Sequence, residues 1–514
     1  MKRREIFKLA LGAALLHSLP GRAWAQMHHG TMPMMGHQEH NALMPLERMP
    51  GGRALRPLLP LTNTSSEPGH FQARLTAAAH TVILADGKKT QVWLYNGQMP
   101  GPLIELKEGD QLDIEFVNQL DQATTVHWHG LPVPPEQDGN PQDPVAPGQS
   151  RHYRFTLPEG SAGTYWYHPH PHGKTGEQVA HGLAGALIVR AADDPLAGVP
   201  EQHWVISDLR LDSDGQIPAN TPMDWMNGRE GQFVLINGQH QPRMRVSTGE
   251  RIRVWNACAA RYLRLHIPGA RLVQIGTDGG LLQVPLAPSD EVFLAPAERA
   301  ELFVLTEQSG PSTLQALFYD RQKMMVKEEP HTLTLAQIDV RTEPFSLPPR
   351  LRDIAAAPQG DVDARVVFSE VMPMNHAMMG EGMNHGSHGS MPSMSGMPDM
   401  AAMRNMFRVN DRIYDMQRID LRCPVGQWQR WEVVNDSHMD HPFHLHGTQF
   451  QVLSRATGGK TTPEPFRAWR DTVNLRPNET VTLAFRQDVP GLRMFHCHIL
   501  EHEDLGMMAQ LMVE

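Results

Sequence analysis

Cysteine is nearly absent: Cys258, Cys423 and Cys497 are the only thiols in 514 residues. That scarcity excludes a disulfide framework, and Cys258 and Cys423 are expected to be separate buried thiols rather than a pair. Aromatic residues make up only 6% of the chain. No long amphipathic helical pattern occurs, which excludes a helical bundle. No apolar run approaches the roughly 20 residues needed to cross a bilayer as a helix, so stable membrane insertion is not expected. Positive charge is in deficit, with 46 Lys and Arg against 56 Asp and Glu, which makes nucleic acid a poor partner.

The first 25 residues stand apart. "MKRREIFKLALGAALLHSLPGRAWAQ" has a basic start, about a dozen apolar residues and Ala23-Trp24-Ala25 as a small-residue cleavage site before Gln26. Arg3-Arg4 followed by Glu5, Ile6, Phe7 and Lys8 fits a twin-arginine signal. Export to a bacterial periplasm is expected. Residues 26–56 then form an extension that carries Met and His.

What remains reads as β-sheet almost throughout. Residues 111–120, 151–158, 251–257, 301–307 and 481–487 alternate apolar and polar side chains at period two. The 43 glycines and 42 prolines punctuate these runs at short intervals, as sandwiches or barrels require. Three blocks separate by composition, 57–192, 200–345 and 407–514, each near the size of one β-sandwich. Residues 346–406 are expected to be a linker.

Within that linker, residues 372–406 hold eleven of the thirty methionines, with three histidines and abundant Gly, Ser and Pro. The plain reading is a flexible linker in which Met is incidental. A second tract, "QMHHGTMPMMGHQEH" (26–40), shares the bias, and thioether sulfur is a soft ligand suited to Cu(I). Copper capture is the expectation.

The third thiol lies in "MFHCHILEHEDLGMM" (494–508). On a strand His496 and His498 face one way and Cys497 the other. The spacing Cys497, His502, Met507, with His441 from "DHPFHLHG" (440–447), supplies a thiolate, two imidazoles and a weak axial thioether: the donor set of a blue-copper electron-transfer centre. The bland alternative is a buried cysteine near chance histidines. Four His-x-His pairs argue against it: His127/His129, His168/His170, His444/His446 and His496/His498. Two pairs fall in the first block and two in the third. Eight imidazoles converge only if those blocks pack together, and eight suffice for three coppers at three, three and two each. The middle block has no paired histidine and reads as a spacer. Cys497 then joins a one-electron acceptor to a site able to reduce oxygen by four electrons.

These motifs resemble those of the multicopper oxidases, over essentially the whole chain after the leader. Within that family, residues 127–142, 166–185 and the Met-rich insertion are similar to the bacterial periplasmic copper-tolerance oxidases. The resemblance implies three cupredoxin-like Greek-key β-sandwich domains and four copper ions. By motif, His127 and His444 would hold the type 2 copper; His129, His168, His170, His446, His496 and His498 the type 3 pair; His441, Cys497, His502 and Met507 the type 1 copper. "HPHPH" also allows His170 with His172, and Met508 lies beside Met507. Where the copper-tolerance relatives have an Asp four residues before the type 1 His, this chain has Ser437, with Asp440 or Met439 as substitutes. Asp138 and Glu503 match the family positions that serve proton delivery.

The expected activity is oxidation of Cu(I), one electron at a time, coupled to reduction of O2 to water. A broad laccase for phenols and aromatic amines is the alternative within the class, and a copper-storage protein the alternative outside it. Storage gives no reason for one thiol to join a blue site to eight imidazoles. A monomer is expected, with O2 and either Cu(I) or a small aromatic reductant as partners.

Overall fold

The computed structural model describes residues 42–371 and 403–514. Residues 372–406 are expected to lie over the His441/His502 edge; of these 372–402, like the leader and the tract at 26–40, lie outside the described residues. Among the described residues no helix is long and apolar enough to cross a membrane.

Among the described residues, six sheets pair into three sandwiches. The first joins a sheet of Lys89–Tyr95, His70–Ile83, Gln111–Gln119 and Ser150–Thr156 to one of Gly101–Lys107, Gly185–Arg190, Gly163–His168 and His127–His129. The second has seven and five strands between Glu201 and Arg341, and the third six and five between Ala364 and Val513. Each begins with the same device, a parallel pair: 70–78 with 111–119, 201–206 with 251–256, and 364–369 with 431–436. That shared crossover marks three copies of one topology.

Period-two alternation explains the cores. Leu112, Ile114 and Phe116 point into the first core and Ile252 and Val254 into the second; Val481, Leu483 and Phe485 fill the third. Burying each such side chain stabilises by roughly 1.5–3 kcal/mol. Cys258 and Cys423 are buried and unpaired, in the second and third cores.

Two stretches carry more structure than their composition suggests. Within 346–406, Ala364–Glu370 is a strand of the third sandwich, and Met403 and Met406 pack in its core beside Phe407. In the extension, Met44 and Met49 pack against Leu209, Leu211 and Phe233 of the second sandwich. A further departure concerns Arg251 and Arg253. Alternation puts them on the solvent face of their strand, yet only 3% and 2% of their surfaces are exposed, and both pair with Glu301. Arg253 also donates to Thr164 of the first sandwich. The outer face of this strand is a domain seam.

Candidate metal centre

Two short strands of the first sandwich, His127–His129 and Gly163–His168, pair antiparallel with His127 opposite His168. In the third, His441–Leu445 pairs with Gly491–Cys497, with His444 opposite His496 and Phe443 opposite Cys497. Side chains alternate across each strand, so both pairs turn their histidines to the seam between the sandwiches.

Eight imidazoles meet there, all fully buried. His127 Nε2 lies 3.4 Å from His444 Nε2 and His129 Nδ1 3.3 Å from His168 Nε2. His496 Nε2 is 3.1 Å from Nε2 of both His170 and His446. The His498 ring stands 5.0 Å from that of His129 and 5.4 Å from that of His168. Within reach of a single ion stand His170, His446 and His496; His127, His129 and His168; and His127, His444 and His446. All eight expected imidazoles are thus brought together, His498 beside His129 and His168. Of the alternatives in "HPHPH", His168 and His170 both join the cluster, whereas His172 packs against Tyr414.

Outer hydrogen bonds orient the rings. His127 Nδ1 donates to the Asp138 carbonyl (2.9 Å) and His444 Nδ1 to the Asp471 carbonyl (2.8 Å). His168 and His496 donate to the carbonyls of Pro169 and Cys497, both at 2.9 Å. His446 Nδ1 faces Asp138 Oδ2 (3.2 Å), and His129 Nε2 faces Asp471 Oδ1 (3.0 Å). Each outer bond fixes a tautomer and leaves the inner nitrogen a lone pair. Burial, with the neighbouring imidazoles, pushes His170, His444 and His446 well below the ordinary histidine range, and burial brings His496 down to about 3. These four rings are therefore neutral, as metal ligands must be. Facing lone pairs cannot satisfy one another, and neither ring nitrogen of the buried His498 has a partner. A cation meets both demands.

The second centre lies on the other side of the 491–497 strand. His441 Nδ1 is 3.4 Å from Cys497 Sγ, His502 Nδ1 3.9 Å from it, and the two imidazole nitrogens 3.3 Å apart. His502 sits on the short helix Leu500–Asp504, stacked on Phe407 at 3.8 Å, and donates from Nε2 to the Met226 carbonyl of the second sandwich. Met507 shares the hydrophobic cluster of Cys497, whereas Met508 packs with Tyr414 and Met494, which separates the two neighbours. Burial pushes the Cys497 thiol far up, so a thiolate here needs a cation beside it. A thiolate, two imidazoles and a thioether fit copper.

Both expected carboxylates adjoin the imidazole cluster. Asp138 is fully buried at His446 and His127. Glu503 accepts from Thr175 Oγ1 (2.8 Å) and lies 3.3 Å from His496 Nδ1 and 3.5 Å from His170 Nδ1. Burial, reinforced by Asp504, holds its carboxyl well above the usual range.

Sequence reasoning missed Glu370 and Asp471. Glu370 Oε1 accepts from His441 Nε2 (3.1 Å), and its Oε2 lies 2.6 Å from Nδ1 of the half-exposed His438. Burial alone would raise this carboxyl; His438 and His441 outweigh it and bring it down to about 2. Asp440, suggested above as the substitute for the missing Asp, turns away: its carboxylate accepts from Tyr319 and Asn474, each at 2.6 Å. Met439 is buried in the core of the third sandwich. No motif spacing marks Glu370, which only the parallel pairing of its strand brings to the site.

Two multicopper oxidase family models match residues 76–194 and 390–514. Multicopper oxidase mco of Staphylococcus aureus is 30% identical over 430 residues, covering 82% of this chain and 83% of that one. The chain belongs to the multicopper oxidases. A solved multicopper oxidase of Campylobacter jejuni, described as a metallo-oxidase, is 47% identical with a TM-score of 0.86, covering 92% of this chain and 98% of that one. Cell division protein FtsP of Dickeya dadantii is 28% identical over 485 residues, covering 92% and 95%. Likeness across this family therefore spans an oxidase and a protein named for cell division, and activity has to be argued from the site. The three sandwiches of this multicopper oxidase are cupredoxin-like, as the motifs implied. The family binds copper, and its clustered donors are compatible with that.

Proposed function

We propose that this multicopper oxidase is a metallo-oxidase that oxidises Cu(I) and reduces O2 to water, with four coppers per chain. In this reading His441, Cys497, His502 and Met507 hold the type 1 copper, and His127 and His444 the type 2 copper. His129, His168, His170, His446, His496 and His498 hold the type 3 pair. Copper there supplies one-electron acceptance at the thiolate and four-electron reduction of O2 at the imidazole cluster. The polypeptide does the rest. Cys497 is bonded in sequence to His496 and His498, so the backbone offers a short covalent path between the two centres. Asp138 and Glu503 border the cluster at different histidines and are placed to hold and pass protons that O2 reduction consumes. The reading includes periplasmic export and a monomer, supported by the sequence of residues 1–25 and by the plain default.

The observation that carries the metal-ion reading is Glu370. Its carboxylate connects the His441 ring to the half-exposed ring of His438. A carboxylate and an imidazole are ligands for a metal ion, and Glu370 stands two residues before the Met-rich insertion begins at Met372. The description of the Campylobacter jejuni relative as a metallo-oxidase agrees.

The test is oxygen uptake by copper-loaded wild type and Glu370→Gln, fed buffered Cu(I) or a simple phenol. Loss of a group bonded to a metal-ligating histidine typically costs about 10–100-fold. The expected result is a loss of that size with Cu(I) and a largely preserved rate with the phenol. Equal losses would reduce Glu370 to a support for His441. A wild type that turns over phenol and ignores Cu(I) would make the chain a laccase.

A further inference from the structure

The second sandwich has no paired histidine and was expected to act as a spacer. It nevertheless sends a charged side chain to the imidazole cluster. Arg299, 2% exposed, lies at the start of the strand Arg299–Leu305. Its guanidinium forks onto Asp471 of the third sandwich: Nη1 donates to Oδ1 (2.8 Å) and Nη2 to Oδ2. Nε donates to the Thr164 carbonyl of the first sandwich (2.7 Å) and Nη1 also to the Ala297 carbonyl (2.8 Å). Asp278, from the same sandwich as Arg299, accepts from the backbone N–H of Asp471 (3.1 Å), Thr472 (3.3 Å) and Arg299 (2.8 Å). Residues 471–472 are thus held by the second sandwich through both side chain and backbone.

Asp471 in turn touches one histidine from each flanking sandwich. Its Oδ1 accepts from His129 Nε2, which leaves Nδ1 to face inward, and its carbonyl accepts from His444 Nδ1. Thr472 Oγ1 donates to the same Oδ1 at 2.9 Å. Gly130 explains how the first sandwich clears this contact. With φ +87°, a Cβ there would stand 2.0 Å from Asp471 Oδ2 and 3.0 Å from Arg299 Nη2. The glycine that follows His129 is the gap into which the ion pair fits.

We infer that Arg299 is a positioning residue for the oxygen-reducing centre, acting through Asp471 on His129 and His444. This rests on reading the imidazole cluster as that centre. The planar fork matters as well as the charge, because a guanidinium meets a carboxylate at two points and an ammonium at one. Without it, Asp471 is a buried carboxylate without its cation and is expected to turn, leaving His129 Nε2 and also His444 Nδ1, which its Oδ1 approaches at 3.7 Å.

The experiment compares copper-loaded wild type, Arg299→Met, Arg299→Lys and Arg251→Met. Arg251 is an equally buried arginine of the second sandwich that pairs with Glu301 and Asp194, away from the cluster. Each protein is reduced chemically without substrate and then mixed with O2. For Arg299→Met we expect an intact blue band, an altered or lost type 2 EPR signal, and reoxidation slowed by about 10–100-fold. Arg299→Lys should recover part of this, and Arg251→Met should lower the melting temperature while leaving the EPR signal unchanged. If Arg299→Met fails to fold, Asp471→Asn keeps the volume and should alter the same signal. A type 2 signal and a reoxidation rate unchanged in Arg299→Met, or in Asp471→Asn where that variant is needed, would overturn the inference. A wild type with no type 2 signal would sink the reading of the cluster instead.

Discussion

His441, Cys497, His502 and Met507 all belong to the third sandwich, and a carbonyl and a stacked phenyl ring complete their surroundings. The eight clustered histidines come four from the first sandwich and four from the third, braced by the second through Arg299. The thiolate site therefore draws all its ligands from one core, with one carbonyl contact from the second sandwich, whereas the cluster exists only while three cores stay docked. Buried, neutral imidazoles facing one another contribute nothing to docking by themselves. The ion pairs and outer hydrogen bonds around them hold the seam until metal arrives.

Three variants test that contrast, in descending order of effect. Cys497→Ser should abolish the blue band and substrate-driven oxygen uptake while the type 2 and type 3 signals persist, since the cluster uses the opposite face of its strand. Simultaneous loss of all signals would show that the two centres do not assemble independently. Asp138→Ala should leave the blue band intact and slow O2 reduction by on the order of 10²–10⁴-fold, the usual weight of a positioned acid or base. An unchanged turnover number would remove Asp138 from proton delivery. The smallest effect should come from acid acting on a carboxylate that touches none of the proposed copper ligands. Glu230 is partly buried, which would raise its carboxyl, but Arg261, Arg321 and Lys323 bring it down from 4.5 to about 2. Its contribution is full above about 4.5 and fades as the pH falls through about 2. Melting of the copper-free protein across that window should be less pH-dependent in Glu230→Gln; parallel curves would show that the cluster does not couple to folding.

Most of this was legible in the sequence where spacing within one strand carried it. His-x-His puts two imidazoles on one face, and alternating Leu112, Ile114 and Phe116 announce a core. The unreadable part consists of partners far apart in sequence. Glu370 reaches His441, and Arg299 reaches Asp471, through strand pairing and docking that no local pattern encodes. A faint signal was present. Arg251, Arg253, Arg299 and Glu301 sit inside strands whose second face seemed free to meet water, yet charges gathered on neighbouring strands fit a seam as well as they fit solvent.

The pairing of His441–Leu445 with Gly491–Cys497 also limits which changes of length the chain tolerates. On both strands, adjacent positions serve different centres: His444 stands opposite His496 for the cluster, and Phe443 opposite Cys497 for the core around the thiolate. Slippage by one residue would swing the thiol into the imidazole cluster and two imidazoles into the hydrocarbon interior. Substitutions elsewhere in these strands degrade the enzyme by degrees. A single inserted or deleted residue between Phe443 and Leu445, or between Phe495 and Cys497, would exchange the contents of both centres at once, so these strands can drift in composition and never in length.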